Sequence, residues 1–295
     1  MLENKQCYDS DLGIITADNS GPMTFDGTKT YILGKDKLII IDPGPNSDFH
    51  LESIKSYIGS AEVSHIIVTH SHEDHYGLAS KLSESTGAPI YGFHYAKNRH
   101  RNIRKDIFRG HKFSLNDRLK EYFQRVNFLS DGEIITGSGM TLEVIYTPGH
   151  LYDHICLAWL EKNCLFSGDH VMSWSTTLIS PPEGDMGDFL ISLEKLITRS
   201  EDKYFPGHGS PVPDGRKLVR QQINHRKKRE DQILFELNSL SHSPVELVSK
   251  IYPRLDSELI AAAANNIFAH LINMYDKNLV IPTKGFSLNE KFKKI

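Results

Sequence analysis

The sequence contains few cysteines and no long apolar run. Three of its 295 residues are cysteine (Cys7, Cys156 and Cys164), and no pair has the C-x-x-C spacing. The number and spacing of the cysteines argue against a disulfide framework and a cysteine-based zinc site. We therefore expect the cysteines to be small side chains buried in the core. No apolar stretch approaches the roughly 20 residues of a membrane span, and the first residues lack the basic and then apolar pattern of a signal peptide. We therefore expect a cytoplasmic protein without a membrane partner.

Two further features of known functional classes are missing. No G-x-S-x-G elbow occurs, which argues against a serine hydrolase, and the net charge is −3 rather than strongly positive. Positive charge is nevertheless concentrated in residues 97–112, which carry seven Lys and Arg against one Asp. This run either captures an anion such as an RNA backbone or forms a solvated helix, and the sequence leaves both interpretations open.

The most informative feature present is the segment 69–75, with the sequence THSHEDH, directly after the apolar run 65–68. In an extended backbone His70 and His72 point the same way, so they can bind one ion. Asp74 and His75 lie one turn further on and can bind another. Imidazole and carboxylate together suit zinc, iron or manganese, and the segment therefore predicts a metal centre.

Three more candidate ligands each follow an apolar, strand-like run. His150 ends the segment TPGH at 147–150, Asp169 lies in SGDH at 167–170, and His208 lies in PGHG at 206–209. Loops that follow strands of a rigid scaffold commonly carry chemistry. Each site alone is weak, but their order after the first segment is a strong joint indication of a metal enzyme.

The order H-x-H-x-D-H, His, Asp, His resembles the metallo-β-lactamase superfamily, in the hydrolase branch that includes glyoxalase II and ribonuclease-type members. The resemblance implies an α/β fold, the αββα sandwich, and includes the early strands at 28–31 and 38–44. It implies that one metal is held by His70, His72 and His150. It also implies a second metal held by Asp74, His75 and His208, with Asp169 bridging the two ions.

The last part of the chain resembles the narrower group of β-lactamase-like proteins with a winged-helix-like C-terminal domain, whose mitochondrial relative is an endoribonuclease. We expect a catalytic domain at 1–212 and a small helical domain at 213–295. Helical periodicity and cap signals predict helices at 217–240, 245–252 and 259–274, followed by a two-strand wing at 278–287. A cap over the pocket, or a homodimer contact, is favoured over a DNA reader because 261–266 is mostly alanine.

In the first two hundred residues, short apolar runs alternate with turn and helical segments. Helices are predicted at 49–58 and 77–86. Strands are predicted at 31–33, 38–42, 65–69, 89–91, 142–147, 154–160 and 164–167. Periodicity alone predicts only an α/β protein, and the sandwich rests on the resemblance.

The residues permit hydrolysis by two divalent cations, with zinc as the first choice and manganese or iron as alternatives. Two ions bridged by Asp169 would share a hydroxide that attacks a carbonyl or a phosphodiester, and Asp74 would orient it. The favoured substrate is a small-molecule ester, thioester or lactone. The alternatives are single-stranded RNA, cleaved by an endoribonuclease, and a nucleic-acid-binding module in which metals only stabilise the fold.

Several neighbouring residues are candidates for supporting roles. Asp42, after a buried strand, is expected to support a ligand, and His170 is a candidate for contact with substrate or a ligand. Tyr76, Met172 and Trp174 either line the pocket or pack in the core. Many thioesterases of the superfamily have a Gly-Gly pair where this chain has a single glycine after Tyr76, so Tyr76 is expected to narrow the pocket and disfavour a glutathione thioester.

Overall fold

The computed structural model of the protein describes residues 5–93, 107–108, 117–137 and 139–295. The basic run 97–112 lies, apart from Ile107 and Phe108, outside the described residues. Seven strands form the first sheet in chain order: β1 Lys5–Asp9, β2 Leu12–Thr16, β3 Lys29–Gly34, β4 Lys37–Ile41, β5 Glu62–Ile67, β6 Ile90–Phe93 and β7 Val126–Leu129.

Five strands form the second sheet, in the spatial order β12-β11-β10-β9-β8. Their bounds are β8 Ile134–Gly137, β9 Met140–Tyr146, β10 Ile155–Trp159, β11 Cys164–Gly168 and β12 Lys203–Pro206. The helices are α1 Asp48–Ile58, α2 Glu73–Tyr76, α3 Ala79–Thr86, α4 Asp117–Arg125, α5 Met186–Ile197, α6 Gly215–Glu236, α7 Pro244–Ile251 and α8 Ile260–Asp276. A third, two-stranded sheet pairs β13 Val280–Pro282 with β14 Phe292–Lys294.

The alternation of side chains along the buried strands explains the layers. In β4, Ile39 and Ile41 pack between the two sheets, whereas Leu38 and Ile40 pack under α1 and α3. In β10, Leu157 faces the inter-sheet core, while its neighbours face α5 and α6 on the far side. Strands covered on both faces are apolar at every position. The result is the predicted αββα sandwich, with a helical C-terminal unit added.

The C-terminal unit has a core of its own, built from α7, α8, the end of α6 and the wing. Ser243 and Glu246 form a capping box that begins α7. The first wing strand falls within the predicted 278–287, but the second was predicted too early, since it starts at Phe292. Phe292 is fully buried and exchanges backbone hydrogen bonds with His242, which makes the connecting loop longer than a tight hairpin.

Helix α6 contributes to two cores. Val219 and Ile223, near its start, pack on the second sheet, while Ile233 and Leu237 pack in the C-terminal core. The boundary between 212 and 213 stays a prediction.

Cys156 and Cys164 are free and buried, as expected. Within the part of the chain that the structure describes, no helix has the length and apolarity to cross a membrane.

The strand directions explain how distant ligand candidates meet. Strand β10 runs antiparallel to both β9 and β11, and β12 runs parallel to β11. The C-terminal ends of β9, β11 and β12 therefore lie at one edge of the second sheet. The loop after β5 reaches the same edge, because the N–H of Ile155 donates to the carbonyl of Thr69 at 2.9 Å.

Candidate metal centre and active-site cavity

The first motif changes backbone conformation between its two halves. His72 is extended (φ −77°, ψ 140°) and precedes α2, whose first turn contains Asp74 and His75. His70 and His72 therefore follow an extended path while the next two side chains project from a helical turn. This local geometry separates the motif into the two pairs that the sequence predicted.

Seven donor side chains converge in two groups. His70, His72, His150 and Asp169 form one group, and Asp74, His75 and His208 form the other, with the ligand atoms of each group within 4.8 Å of one another. In the first group Nδ1 of His72 lies 3.0 Å from Nε2 of His70 and 3.0 Å from Nε2 of His150. The structure thus brings together all the residues that the sequence nominated, in the grouping that the resemblance implied.

Asp169 lies between the two groups. Its Oδ2 is 3.7 Å from Nε2 of His150 in the first group and 3.4 Å from Nε2 of His208 in the second. Its Oδ1 is 3.4 Å from Nε2 of His75. Asp74 closes the second group, since its Oδ2 lies 3.4 Å from His75 and 3.3 Å from His208. A carboxylate so placed can contact two ions at once.

The imidazoles of the first group are neutral. Burial lowers the pKa of His70 well below its ordinary value, and neighbouring imidazoles lower it further. The same causes lower the pKa of His72 to about 3, and burial lowers the pKa of His150. A neutral imidazole keeps a lone pair on its unprotonated nitrogen, which is the form that binds a cation.

In the second group the balance of charge is reversed. Burial lowers the pKa of His75, but the carboxylates of Asp74, Asp169 and Asp42 outweigh it and raise this pKa well above the ordinary value. Burial also lowers the pKa of His208, but the carboxylate of Asp169 outweighs burial and raises this pKa to about 9. The carboxylates therefore favour positive charge at this position, which a divalent cation would supply.

Two buried polar atoms also fit a metal. Nε2 of His75 and Oδ1 of Asp169 are buried and have no hydrogen-bond partner among the described residues. Buried polar atoms are almost always paired, so each unpaired one needs an explanation. Coordination of a cation would satisfy both atoms.

A network behind the site orients the donors. The carboxylate of Asp42 lies 2.8 Å from Nδ1 of His75 and accepts the Thr69 hydroxyl at 2.8 Å. The same Thr69 oxygen lies 3.1 Å from Nδ1 of His70. In the tautomers that satisfy these bonds, both imidazoles direct Nε2 into the site. Histidine ligands commonly depend on such partners for their orientation.

The remaining donors have partners of their own. Nδ1 of His150 lies 2.8 Å from the carbonyl of Leu178, and Nδ1 of His208 lies 3.4 Å from the carbonyl of Gly27. The hydroxyl of Thr28 donates to Asp74 at 3.0 Å.

Sequence reasoning missed His154, which is fully buried beside the first group. Its Nε2 accepts the backbone N–H of Asp169 at 3.1 Å, so its proton lies on Nδ1, 2.9 Å from the Thr147 hydroxyl. The only available signal was its place directly before β10, four residues after His150. His154 holds the backbone of Asp169 from one side.

On the other side of Asp169, the C-terminal unit supports its backbone through Thr177. Thr177 donates its hydroxyl to the carbonyl of Asp169 at 2.6 Å. Arg226, fully buried on α6, donates to the carbonyl of Thr177 and, at 3.1 Å, to Oδ1 of Asn266 on α8. The position of Asp169 therefore depends on packing between the sandwich and the helices that follow it.

Two glycines leave room for the donors. Gly168 has φ +47°, and a Cβ there would lie 2.6 Å from Nε2 of His154. A Cβ on Gly207 would overlap Oδ1 of Asp169 and lie 2.7 Å from Cε1 of His75. Side chains at either position would push the donors apart.

Five of the seven donors line a cavity of about 480 Å³, namely His72, Asp74, His150, Asp169 and His208, and this size accommodates a small-molecule ligand. Its other walls are largely apolar and include Met172, Trp174 and Leu178 from the sandwich. Helices α6 and α8 and the segment between α7 and α8 complete the cavity with His225, Arg229, Tyr252, Leu255, Leu259, Ala262, Ala263 and Asn266. The C-terminal unit is therefore a wall of the candidate active site.

Two neighbouring candidates lie outside the cavity lining. Tyr76 does not line the cavity; it is 5% exposed and its ring packs 4.8 Å from that of Tyr122 in the outer core. The helical turn of α2 directs Tyr76 away from the metals, so it does not narrow the pocket. His170 is fully buried beside Phe189, 4.6 Å between ring centroids, and does not line the cavity either.

Comparison with known proteins agrees with the fold. The chain matches the family model of the metallo-beta-lactamase superfamily over residues 23–208 and that of the beta-lactamase associated winged helix domain over residues 243–285. The chain therefore belongs to the metallo-beta-lactamase superfamily and is a hydrolase of that superfamily.

Relatives and solved structures cover most of the chain. Beta-lactamase-like protein 2 homolog of Caenorhabditis elegans is 29% identical, over 86% of this chain and 80% of the relative. Atrochrysone carboxyl ACP thioesterase of Claviceps purpurea is 26% identical, over 81% and 71%.

A beta-lactamase domain protein from Burkholderia ambifaria has a TM-score of 0.80 at 19% identity, over 99% of this chain and 93% of that one. TTHA1623 in a di-iron-bound form has a TM-score of 0.51 at 22% identity, over 71% of this chain and 97% of that one. Both likenesses show the fold.

Proposed function

We propose that the protein is a dinuclear metal hydrolase of small-molecule esters, and of thioesters in particular. The observation that carries the proposal is the convergence of seven donors in two groups, with Asp169 between them and five of the donors lining a largely apolar cavity. Small apolar cavities with a few convergent polar groups are typical of small-molecule sites.

In this proposal His70, His72 and His150 would hold one ion, Asp74, His75 and His208 would hold the other, and Asp169 would be shared between them. When bound, two divalent cations lower the pKa of a shared water and stabilise negative charge that develops on the substrate oxygen. Asp74 and Asp169 are the catalytic carboxylates. Their pKa values lie below the ordinary range, because the neighbouring imidazoles outweigh the effect of burial, so both are ionised and able to orient an attacking nucleophile.

Zinc suits this set of imidazole and carboxylate ligands. Iron and manganese suit it as well, and TTHA1623, which shares the fold, was solved in a di-iron-bound form.

A thioester substrate is supported by two observations. The cavity walls formed by the C-terminal unit are mostly aliphatic and aromatic, which suits an acyl chain better than a hydrated phosphodiester backbone. The Claviceps purpurea relative is named as an acyl carrier protein thioesterase. Single-stranded RNA is the alternative substrate, and the cytoplasmic location and a homodimer stay predictions.

The test combines metal analysis with hydrolysis assays on the purified full-length protein. We expect about two ions per chain and turnover of a thioester that a chelator abolishes and added zinc, manganese or iron restores. Cleavage of a fluorogenic single-stranded RNA with no turnover of any ester would overturn the substrate assignment. Protein that binds no metal would overturn the dinuclear site.

A further inference from the structure

The cavity wall formed by α6 contains a positively charged residue, Arg229. Arg229 is the one Lys or Arg side chain among the described residues that lines the cavity. It is only 8% exposed, and within the part of the chain that the structure describes no carboxylate lies within ion-pair distance of its guanidinium. A buried guanidinium without a counter-ion is costly, since charges are normally buried only when they are paired.

The surroundings of Arg229 hold it in place without neutralising it. Its Nη1 donates to Oε1 of Gln232 at 2.7 Å, and its Cζ lies 4.1 Å from the centroid of the Tyr252 ring. These contacts fix the plane of the guanidinium. Its Nε is buried without a hydrogen-bond partner, so donor capacity remains for a ligand.

The charge around Arg229 is positive. His225, on the same cavity wall, has its pKa lowered by burial and then by the adjacent cations Arg226, Arg229 and Lys228. Arg226 is fully buried and is bonded to neutral oxygens. The carboxylates that line the cavity are Asp74 and Asp169, at the metal centre, and Glu183, which forms no ion pair with Arg229.

Apart from the metal centre and this cationic position, the cavity lining is largely apolar and includes Met172, Trp174, Leu255, Leu259, Ala262 and Ala263. A ligand that reaches both ends would therefore have a cleavable bond at one end, an apolar middle and an anionic group at the other. Arginine binds carboxylates and phosphates through paired N–H donors of fixed geometry.

We propose that Arg229 binds an anionic group, a carboxylate or a phosphate, at the non-reacting end of the ester or thioester substrate. The inference deepens the proposed function, on which it rests for the reaction at the metal centre. The anion has two chemical sources in a thioester. A carboxylate can end the acyl chain, or a phosphate can belong to the thiol carrier.

Two matched pairs of compounds separate these sources. The adipic and heptanoic thioesters of N-acetylcysteamine have acyl chains of similar length, but only the first ends in a carboxylate. The hexanoyl thioesters of phosphopantetheine and pantetheine differ in one phosphate. Binding of the four corresponding amides, in which N–H replaces the thioester sulfur and resists hydrolysis, is measured by calorimetry on the metal-loaded protein, and kcat/KM is measured for the four thioesters.

We expect wild-type protein to prefer the anionic member of one pair, and the pair concerned identifies the source. Arg229→Gln should lower affinity and kcat/KM for that member by about 10- to 100-fold, because a charge-assisted hydrogen bond is lost, with the neutral member nearly unaffected. Lys228→Gln is the matched control, since it removes the adjacent but exposed positive charge of the same helix, and it should change neither.

Tyr252→Leu is a second variant for the case that Arg229→Gln does not fold, and it should give a smaller loss confined to the anionic member. Equal binding of the anionic and neutral members of both pairs by wild-type protein would overturn the inference. The inference would also be overturned if Arg229→Gln abolished cleavage of single-stranded RNA while wild-type protein showed no preference for the anionic member of either pair. Anion-selective binding that depends on Arg229, without turnover, would support this site while contradicting the proposed hydrolysis.

Discussion

The carboxylate of Asp42 lies 2.8 Å from Nδ1 of His75, and through the hydroxyl of Thr69 it also reaches Nδ1 of His70. His70 belongs to the first donor group and His75 to the second. One buried carboxylate at the end of β4 therefore orients a donor in each group. Asp42 has a positive φ of 52°, a conformation uncommon for a residue other than glycine, and its bonds to Thr69 and His75 hold it there.

Replacing Asp42 with Asn should weaken metal binding without removing any ligand. The amide is nearly isosteric but lacks the charge that both imidazoles use, and loss of such supporting partners typically costs about 10- to 100-fold in metal affinity. Competition with a chelator measures the affinity. Asp36→Asn, at the exposed opposite end of the same strand, serves as the control, and equal affinities for the two variants would contradict the orienting role.

Replacing Asp169 with Ala should remove metal and activity together. The side chain lies between the two donor groups, so its loss removes the contact shared by both ions. We expect the metal content per chain to fall below that of wild type and kcat/KM to fall by roughly a thousandfold or more, as is usual for groups that act in the transition state. Elemental analysis and the hydrolysis assay measure the two effects on one sample.

Glu73→Gln is the matched control for this experiment, because Glu73 is an exposed carboxylate in the turn beside Asp74. Its metal content and activity should equal those of wild type. A fully metallated and active Asp169→Ala variant would disprove the bridging role.

A bulky residue at Ala263 should obstruct the cavity from the C-terminal side. Ala263 lines the cavity on α8, whereas Ala261, two residues earlier, is exposed and does not line it. We expect Ala263→Trp to lower kcat/KM for thioesters by about tenfold or more with unchanged metal content, and Ala261→Trp to leave both unchanged. If the two variants behave alike, helix α8 does not form part of the substrate site.

The stability of the protein should depend on pH through Asp153. Asp153 is 3% exposed, and burial raises its pKa from 3.8 to about 7 although hydrogen bonds from Ser71 oppose the shift. Between these values the folded state retains a proton that the unfolded chain releases. The stabilisation from this group is therefore complete below about pH 4 and is lost as the pH rises towards 7.

Asp153→Asn removes this dependence, so the free energy of unfolding of the variant should rise relative to wild type between pH 4.5 and 7.5. The change amounts to several kcal/mol, at about 1.4 kcal/mol for each pKa unit. Denaturant unfolding of both proteins at several pH values measures it, with a chelator present so that metal binding does not contribute. A difference between the two proteins that does not change with pH would contradict the raised pKa.

Much of the sandwich was predictable from the sequence because strand patterns are local. The run at 38–41 is apolar at every position, and each of its side chains meets a core on one face or the other. Strands β1, β2, β7, β8 and β12 were not predicted from the sequence. Strands β8 and β12 have only four residues each. Their place in the sheet depends on pairing with β9 and β11, which no local pattern indicates.

The chain itself determined which residues could bind metal, because ligand spacing within 69–75 and the order of the later motifs are properties of the sequence. Only the tertiary structure decided what surrounds them. His154 supports Asp169, and Tyr76 turns into the core. Arg229, which follows His208 by 21 residues, reaches the cavity from α6. These relationships depend on how the helices pack on the sheets and on one another, and long-range packing leaves no local pattern that could have predicted them.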